Sequence, residues 1–286
     1  MPWEILQYGF ISRGLIAGLI IASIAPLIGI FLVLKRYSLI ADTLSHVSLA
    51  GVAIGLLAGI NPALTALGAT VLAALGLEKL RLSGRIQGEA ALSIVLSGSL
   101  ALAIIILSLA RGFNANLFNY LFGSILTVTL GDIYLMAFLA LVIFTALFIF
   151  FKELVFIAFD EEAARVSGLP VRRLNSLFII LAAVTVALAI PIVGVLLISA
   201  LVVIPAVAAL QLGRGFVATL IAAEIISLFS VVSGIFLSFY FDLASGGTIV
   251  MIMLAILFLT LFVGRLKGAG RNLGLSRVIE AEKKIF

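Results

Sequence analysis

The chain has no cysteine, a single histidine and, over 286 residues, only 18 basic and 13 acidic side chains. Without cysteine there is no disulfide framework, thiolate metal ligand, iron–sulfur centre or cysteine nucleophile. With 11% charged against 64% hydrophobic residues and a mean hydropathy of +1.37, a surface suited to water cannot be built, so the chain reads as an integral membrane protein. No G-x-x-x-x-G-K-[ST] loop occurs, so the chain cannot bind and hydrolyse ATP by that route. No short charged region, apolar stretch and cleavage site precede the first long apolar run, and no removable signal peptide is expected. A hydrocarbon core of roughly 30 Å takes about 20 helical residues per crossing, which allows at most about ten spans and no sizeable soluble domain.

What is present is a series of apolar runs punctuated by charge. The run 43–77 is too long for one crossing and breaks at Asn61-Pro62; the run 174–213 breaks around Pro191. The nine expected spans are about 14–34, 39–58, 62–80, 88–110, 132–151, 174–190, 193–211, 215–240 and 248–264, followed by a tail, 265–286. With the N-terminus outside and the C-terminus inside, all basic residues except Arg13 and Arg111 fall in inner loops or the tail. That bias is the positive-inside signature, and it also accounts for the net charge of +5 without invoking nucleic acid. The segment 112–131 is apolar enough to span, but parity puts both its ends outside, so it reads as a re-entrant or interfacial excursion.

Ionisable groups within spans are costly and mark function. His46 follows Asp42 by four residues in ADTLSHVSLAG, so a helix sets carboxylate and imidazole on one face, one turn apart. This is half of a site for a divalent transition metal: imidazole suits zinc, manganese or iron, whereas an oxygen-only site would suit calcium or magnesium. Two ligands are too few to hold a metal, and a symmetric homodimer apposing this helix would double them. The competing reading is a helix-capping Asp42 and a buried, satisfied His46. The same helix continues Gly51-x-x-x-Gly55-x-x-x-Gly59, a face that admits a close neighbour. Glu224, ten residues beyond Arg214, lies about 15 Å into the membrane on a continuous helix. It is a candidate relay or auxiliary ligand, with a hydrogen bond to a neighbouring span as the alternative. Asp132 and Asp242 stand at outer ends, where capping or solvation accounts for them. In the inner loop FDEEAARVSGLPVRRLN, Asp160 can cap a short helix that opens with Glu161 and Glu162 and ends at Gly168. A charged helix on that face suits docking; the alternative is a loop that merely connects two spans.

Six ordered blocks spread over nearly the whole chain resemble the membrane subunits of manganese and zinc ATP-binding-cassette importers. They are SLIADTLSHVSLAGVAIG, EAALSIVLSGSLAL, NYLFGSILTVTLGD, FDEEAARVSGLPV, PIVGVLLISALVVIPAVAAL and SGGTIVM. The resemblance implies an all-α polytopic permease like those of vitamin B12 importers, acting as a homodimer. Two cytoplasmic ATPase subunits and an extracytoplasmic metal-binding protein would complete the complex. It also implies that Asp42 and His46 line the path and meet the metal, which is cargo and not a resident cofactor. The stretch Pro205 to Arg214 would be the main ATPase-coupling segment, with 159–172, including Asp160, Glu161, Glu162, Arg165 and Gly168, accessory to it. The expected function is thus a transport subunit of the cell membrane that is not itself an enzyme. The alternative is a secondary transporter or channel for a metal or small solute. Against it stand the few intramembrane acids and the lack of paired interrupted helices in two halves.

Overall fold

A computed structural model describes residues 9–82, 88–109, 120–124 and 128–283. The longer helices among the described residues, in chain order, are α1 (Gly9–Leu34), α2 (Ser38–Ala58), α3 (Pro62–Leu82), α4 (Gly88–Leu109), α5 (Leu130–Ile149), α6 (Phe151–Phe159), α7 (Glu161–Val166), α8 (Val171–Val193), α9 (Ile198–Leu210), α10 (Phe216–Phe241) and α11 (Ser245–Lys283). The described residues contain no strand. Helix is the form in which an apolar segment satisfies its own backbone polar groups without water.

The ends of the helices follow local chemistry. Gly59 takes a left-handed conformation (φ 67°) that closes α2, and the Asn61 side chain accepts from the Ala63 and Leu64 amides to start α3 at Pro62. Thr129 and Asp132 form a reciprocal capping box at the start of α5, and Asp242 is the left-handed cap of α10. Both aspartates are therefore cap residues.

Among the described residues, eight helices are long and apolar enough to cross a membrane: α1 to α5, α8, α10 and residues 245–264 of α11. The break expected around Pro191 lies instead at Gly194, because a proline in the last turn removes one hydrogen bond and leaves helical φ and ψ allowed. The helix that follows, α9, has 13 residues, about 20 Å of rise, which is short of the hydrocarbon core. The chain still traverses the bundle there. Gly194 packs against Gly123 at one end, whereas Phe216 at the other end stacks with Phe31, Phe151 and Phe159. Most of 112–131 lies outside the described residues. Of the rest, 120–124 pairs with the end of α8: Val195 N–H donates to the Tyr120 carbonyl (2.9 Å) and Ser124 N–H to the Pro191 carbonyl (3.0 Å). The irregular backbone here finds its hydrogen-bond partners within the protein.

Helices α1, α2 and α8 are the most enclosed, and α3, α4, α5 and α11 present apolar faces outward. Small residues set the close approaches. A Cβ on Gly51 or Gly55 would strike the backbone of α3 at Ala66 or Pro62, so the glycine face of α2 seats α3. At Gly29 of α1 a Cβ would lie 1.9 Å from the Val202 carbonyl oxygen of α9, and backbone cannot yield there as a flexible side chain can.

We expect Gly29→Ala to destabilise the folded chain by about 1–3 kcal/mol, the usual range for overpacking. Gly68→Ala, with open space around the added carbon, should be neutral or stabilising, since alanine is the better helix former. Thermal unfolding of both variants in detergent checks the contrast; equal melting temperatures would contradict the close α1–α9 contact.

Candidate transport half-site and docking face

The basic residues Lys35, Arg36, Arg81, Arg165, Arg172 and Arg214 lie at helix ends or in the connections of one end of the bundle, called here the basic end. At that end α1 closes in a left-handed turn at Arg36 (φ 59°). Arg36 N–H donates to the Val33 carbonyl and Tyr37 N–H to the Leu32 carbonyl, the paired bonds of a Schellman closure. Ser38 begins α2 immediately afterwards, so one residue, Tyr37, both finishes α1 and sets the direction of α2.

Asp42 and His46 stand four and eight residues into α2, about 6 and 12 Å above Ser38. Their Oδ1 and Nε2 atoms are 4.0 Å apart, with side-chain exposures of 36% and 13%. A carboxylate this open on a spanning helix cannot face hydrocarbon without large cost, so the face must meet water or another protein surface. The other imidazole nitrogen, Nδ1, is buried with no hydrogen-bond partner. The capping reading of Asp42 has no support in the geometry: α2 has no side-chain cap bond, and its N-cap residue is Tyr37. A tetrahedral ion with ligands at about 2.1 Å needs donors about 3.4 Å apart, so a small rotamer change closes this pair on a metal.

No third histidine, cysteine, aspartate or glutamate joins them among the described residues. Glu224 is therefore not gathered to Asp42 and His46 within one chain. It lies on α10, with one carboxyl oxygen buried and without a partner, so the hydrogen bond to a neighbouring span that the sequence allowed is not present for that oxygen.

The docking candidates separate by exposure. Asp160 caps α7 through Ala163 N–H (2.8 Å), Glu161 pairs with Arg165 at 3.1 Å, Glu162 is exposed and Gly168 (φ 85°) turns the chain out of the helix. Ala164 anchors α7 in a small core with Ile157, Val171 and Leu174, while Val166 is 89% exposed. Pro205, in contrast, is buried within α9, and only the end of its segment, Gln211 to Gly215 with Arg214, reaches the surface.

Sequence reasoning missed a polar cluster between these two regions. Arg81 on α3 holds Glu78 through two nitrogens (2.9 and 3.1 Å), donates to the Tyr37 hydroxyl and lies over the Tyr37 ring at 4.8 Å. Lys35 donates to the Asn175 side-chain carbonyl of α8 (2.5 Å) and sits over the Phe178 ring. The only sequence signal was the i, i+3 spacing of Glu78 and Arg81; the Lys35–Asn175 contact spans 140 positions and leaves no local trace.

Comparison with known proteins places this architecture. The sequence profile described as the ABC 3 transport family matches residues 7–264. A "Probable metal transport system membrane protein" of Treponema pallidum is 37% identical over 90% of this chain and 96% of its own length. The manganese transport system membrane protein MntC of Listeria innocua is 32% identical over 89% and 91%. Among solved structures, PsaBC from Streptococcus pneumoniae in complex with Fab superimposes with a TM-score of 0.82 at 28% identity, covering 91% of this chain and 94% of the other.

Asp160→Ala should unwind α7 at a cost of about 1 kcal/mol, the typical loss for an N-cap. Hydrogen exchange at the amides of residues 163–166 should speed up while that of α8 is unchanged. Unaltered exchange across α7 would show that the cap does not hold the helix.

Proposed function

We propose that this chain, which belongs to the ABC 3 transport family, forms the membrane pathway of an ATP-driven importer for a divalent transition metal, zinc or manganese. The observation that carries the reading is the open Asp42–His46 face on an enclosed membrane helix, a donor pair of mixed oxygen and nitrogen type that suits these ions. The chain's part is transport, not catalysis. ATP hydrolysis belongs to two separate ATPase subunits at the basic end, and an extracytoplasmic metal-binding protein delivers the ion at the opposite end. The basic end faces the cytoplasm, the orientation favoured by the distribution of lysine and arginine, which puts the N-terminus outside and the C-terminus inside.

The function follows from the incompleteness of the site. A single chain supplies two ligands, too few to strip a metal of its water. Two chains related by a two-fold axis would supply two aspartates and two histidines, a tetrahedral set for zinc that manganese can share with added water. The metal stays cargo because the ligands come from two bodies that can separate. When the half-sites approach, the ion exchanges water for imidazole and carboxylate; when they part, it retains too few ligands to stay and leaves toward the open side.

Docking falls first to α7. Its exposed tip, Val166, and the charged Glu161, Glu162 and Arg165 project from a small anchored core, a form that can bear load against an ATPase. The Gln211–Gly215 turn with Arg214 lies beside it as a second contact, while buried Pro205 serves packing of α9. The resemblance to known importers implied the opposite order of importance; exposure favours α7.

Asp42→Asn and His46→Ala should each abolish metal uptake while the dimer and its docked ATPases stay assembled. Loss of a partner behind a ligand already lowers metal affinity roughly 10–100-fold, so loss of a direct ligand should exceed that. The measurement is ATP-dependent uptake of labelled zinc and manganese into proteoliposomes holding the full complex. Wild-type uptake by the double variant would sink the site assignment, and uphill transport by the purified chain alone would establish a secondary transporter instead.

Replacing Glu161 and Glu162 together with alanine should lower uptake and ATPase stimulation in parallel, because both need a seated ATPase. Arg214→Ala should have the smaller effect. The same proteoliposomes, assayed for phosphate release and metal entry, test this order, which is reversed if Arg214→Ala is the more damaging change.

A further inference from the structure

The polar cluster beside α7 includes neither Asp42 nor His46. It occupies a defined place, however. A cavity of about 650 Å³ opens between α7 and the start of α8, lined by Glu161, Arg165, Leu169, Arg172 and Asn175. A second cavity of about 240 Å³ lies at the foot of α2, lined by Lys35, Tyr37, Ile40, Glu78 and Arg81. Asn175 belongs to the first and Lys35 to the second, and the two side chains are bonded to each other. The Lys35–Asn175 contact is thus the wall between the docking cavity and the helix that carries Asp42 and His46.

We propose that the Lys35-Arg36-Tyr37 corner is a positioning element that carries movement of the docking helix α7 and the head of α8 to α2, and so moves the metal half-site. This rests on the transport reading given above.

Three features suit the corner to the task. First, it is stiff. Arg36 is held in the left-handed region by the two backbone bonds that close α1, a conformation that persists in a non-glycine residue only where the surroundings over-determine it. Second, it is gripped from both sides. Lys35 is tied to α8 through Asn175 and Phe178, and Tyr37 to α3 through the Arg81–Glu78 pair. Glu78 is 3% exposed and Asn175 3% exposed, so water has little access to either, and breaking the contact leaves a buried polar group unmatched. Third, it is in electrical contact with α7. Burial pushes the Lys35 ammonium down to about 8, and the Glu161 carboxylate is close enough to oppose that shift.

These contacts have discrete alternatives: each hydrogen bond is made or broken, and the helices they join are rigid. That is the physical requirement for coupling between distant sites. With Asp42 only five residues beyond Tyr37, a tilt of the corner becomes a displacement of the ligands, with no flexible segment between to absorb it.

The test uses the full importer in proteoliposomes, with labelled manganese as the probe, and reads metal moved per ATP hydrolysed. Tyr37→Phe removes the hydroxyl that Arg81 binds and keeps the ring. Asn175→Leu removes the acceptor of Lys35 at similar volume, and Asn175→Asp restores one. We expect Tyr37→Phe and Asn175→Leu to lower the metal-to-ATP ratio by roughly 2- to 30-fold, the range for variants along a coupling network. ATP hydrolysis and assembly should stay near wild type, and Asn175→Asp should recover the ratio. An unchanged ratio in both Tyr37→Phe and Asn175→Leu overturns the proposal. So does a parallel fall in hydrolysis, stability and uptake, which would mark a purely structural cluster. Asp42→Asn is run alongside: if it transports normally, the half-site reading itself is wrong, and that failure is distinct from a normal ratio in the corner variants beside an inactive Asp42→Asn.

Discussion

A hydrocarbon interior offers no hydrogen-bond partner to a peptide group, and the rest of this structure is a response to that constraint. Each crossing must satisfy its own backbone, so the spans are helices and the described residues contain no strand. Interruptions survive only where protein supplies the missing partners. At the end of α8 the irregular stretch 194–197 is paired with 120–122 by main-chain bonds, and Gly123 and Gly194 take positive φ with backbones closer than any side chain would allow. The short helix α9 depends on this junction, because 13 residues cannot carry the chain across without the turn that precedes them.

The same constraint explains how sparingly charge is used. An unpaired ionic group within the membrane is tolerated only facing water or another polar surface, and the Asp42–His46 pair is open on one side of α2 while every other residue from Thr43 to Ala53 is buried. A complete four-ligand site in one chain would hold its metal too firmly to release it in each cycle. In the proposed dimer, dividing the ligands between two chains would make affinity a function of separation, so that moving helices would be enough to load and unload the ion. Glu224 does not fit this scheme within a single chain: its buried carboxyl oxygen meets nothing, and it is not gathered to the half-site.

Much of this was legible in the chain. Apolar runs gave the helices because membrane burial acts over about 20 residues at a time, and Asn61-Pro62 and Asp160 announced their turns because caps are local chemistry. The Asp42–His46 face needed only helical period. What stayed hidden was tertiary. Pro191 seemed the natural stop for α8, yet the stop is Gly194, whose backbone is dictated by a loop 70 residues earlier. Pro205 looked like a surface coupling residue in an ordered block, and burial in α9 removes it from the surface. The Lys35–Asn175 and Tyr37–Arg81 contacts join positions 140 and 44 apart, and no periodicity encodes such pairings.

The arrangement of charge at the basic end follows from the two tasks joined there. Lysine and arginine collect at one end because the membrane sorts them, but sorting alone would leave them solvated and independent. Here Arg81 is spent on Glu78 and Tyr37, and Lys35 on Asn175 and an aromatic face, while Arg214 and the exposed side of α7 remain free to meet another surface. The aromatic cluster of Phe31, Phe151, Phe178 and Phe216 lies beside this network, joining α1, α6, α8 and α10 by apolar contact where polar side chains join α1, α3 and α8. Under the proposed coupling, force applied at α7 would meet two kinds of connection. The aromatic contacts are non-directional and tolerate sliding, whereas the hydrogen-bonded corner fixes direction. A structure built this way can let helices shift against one another and still deliver the shift to one place, the helix that carries Asp42 and His46.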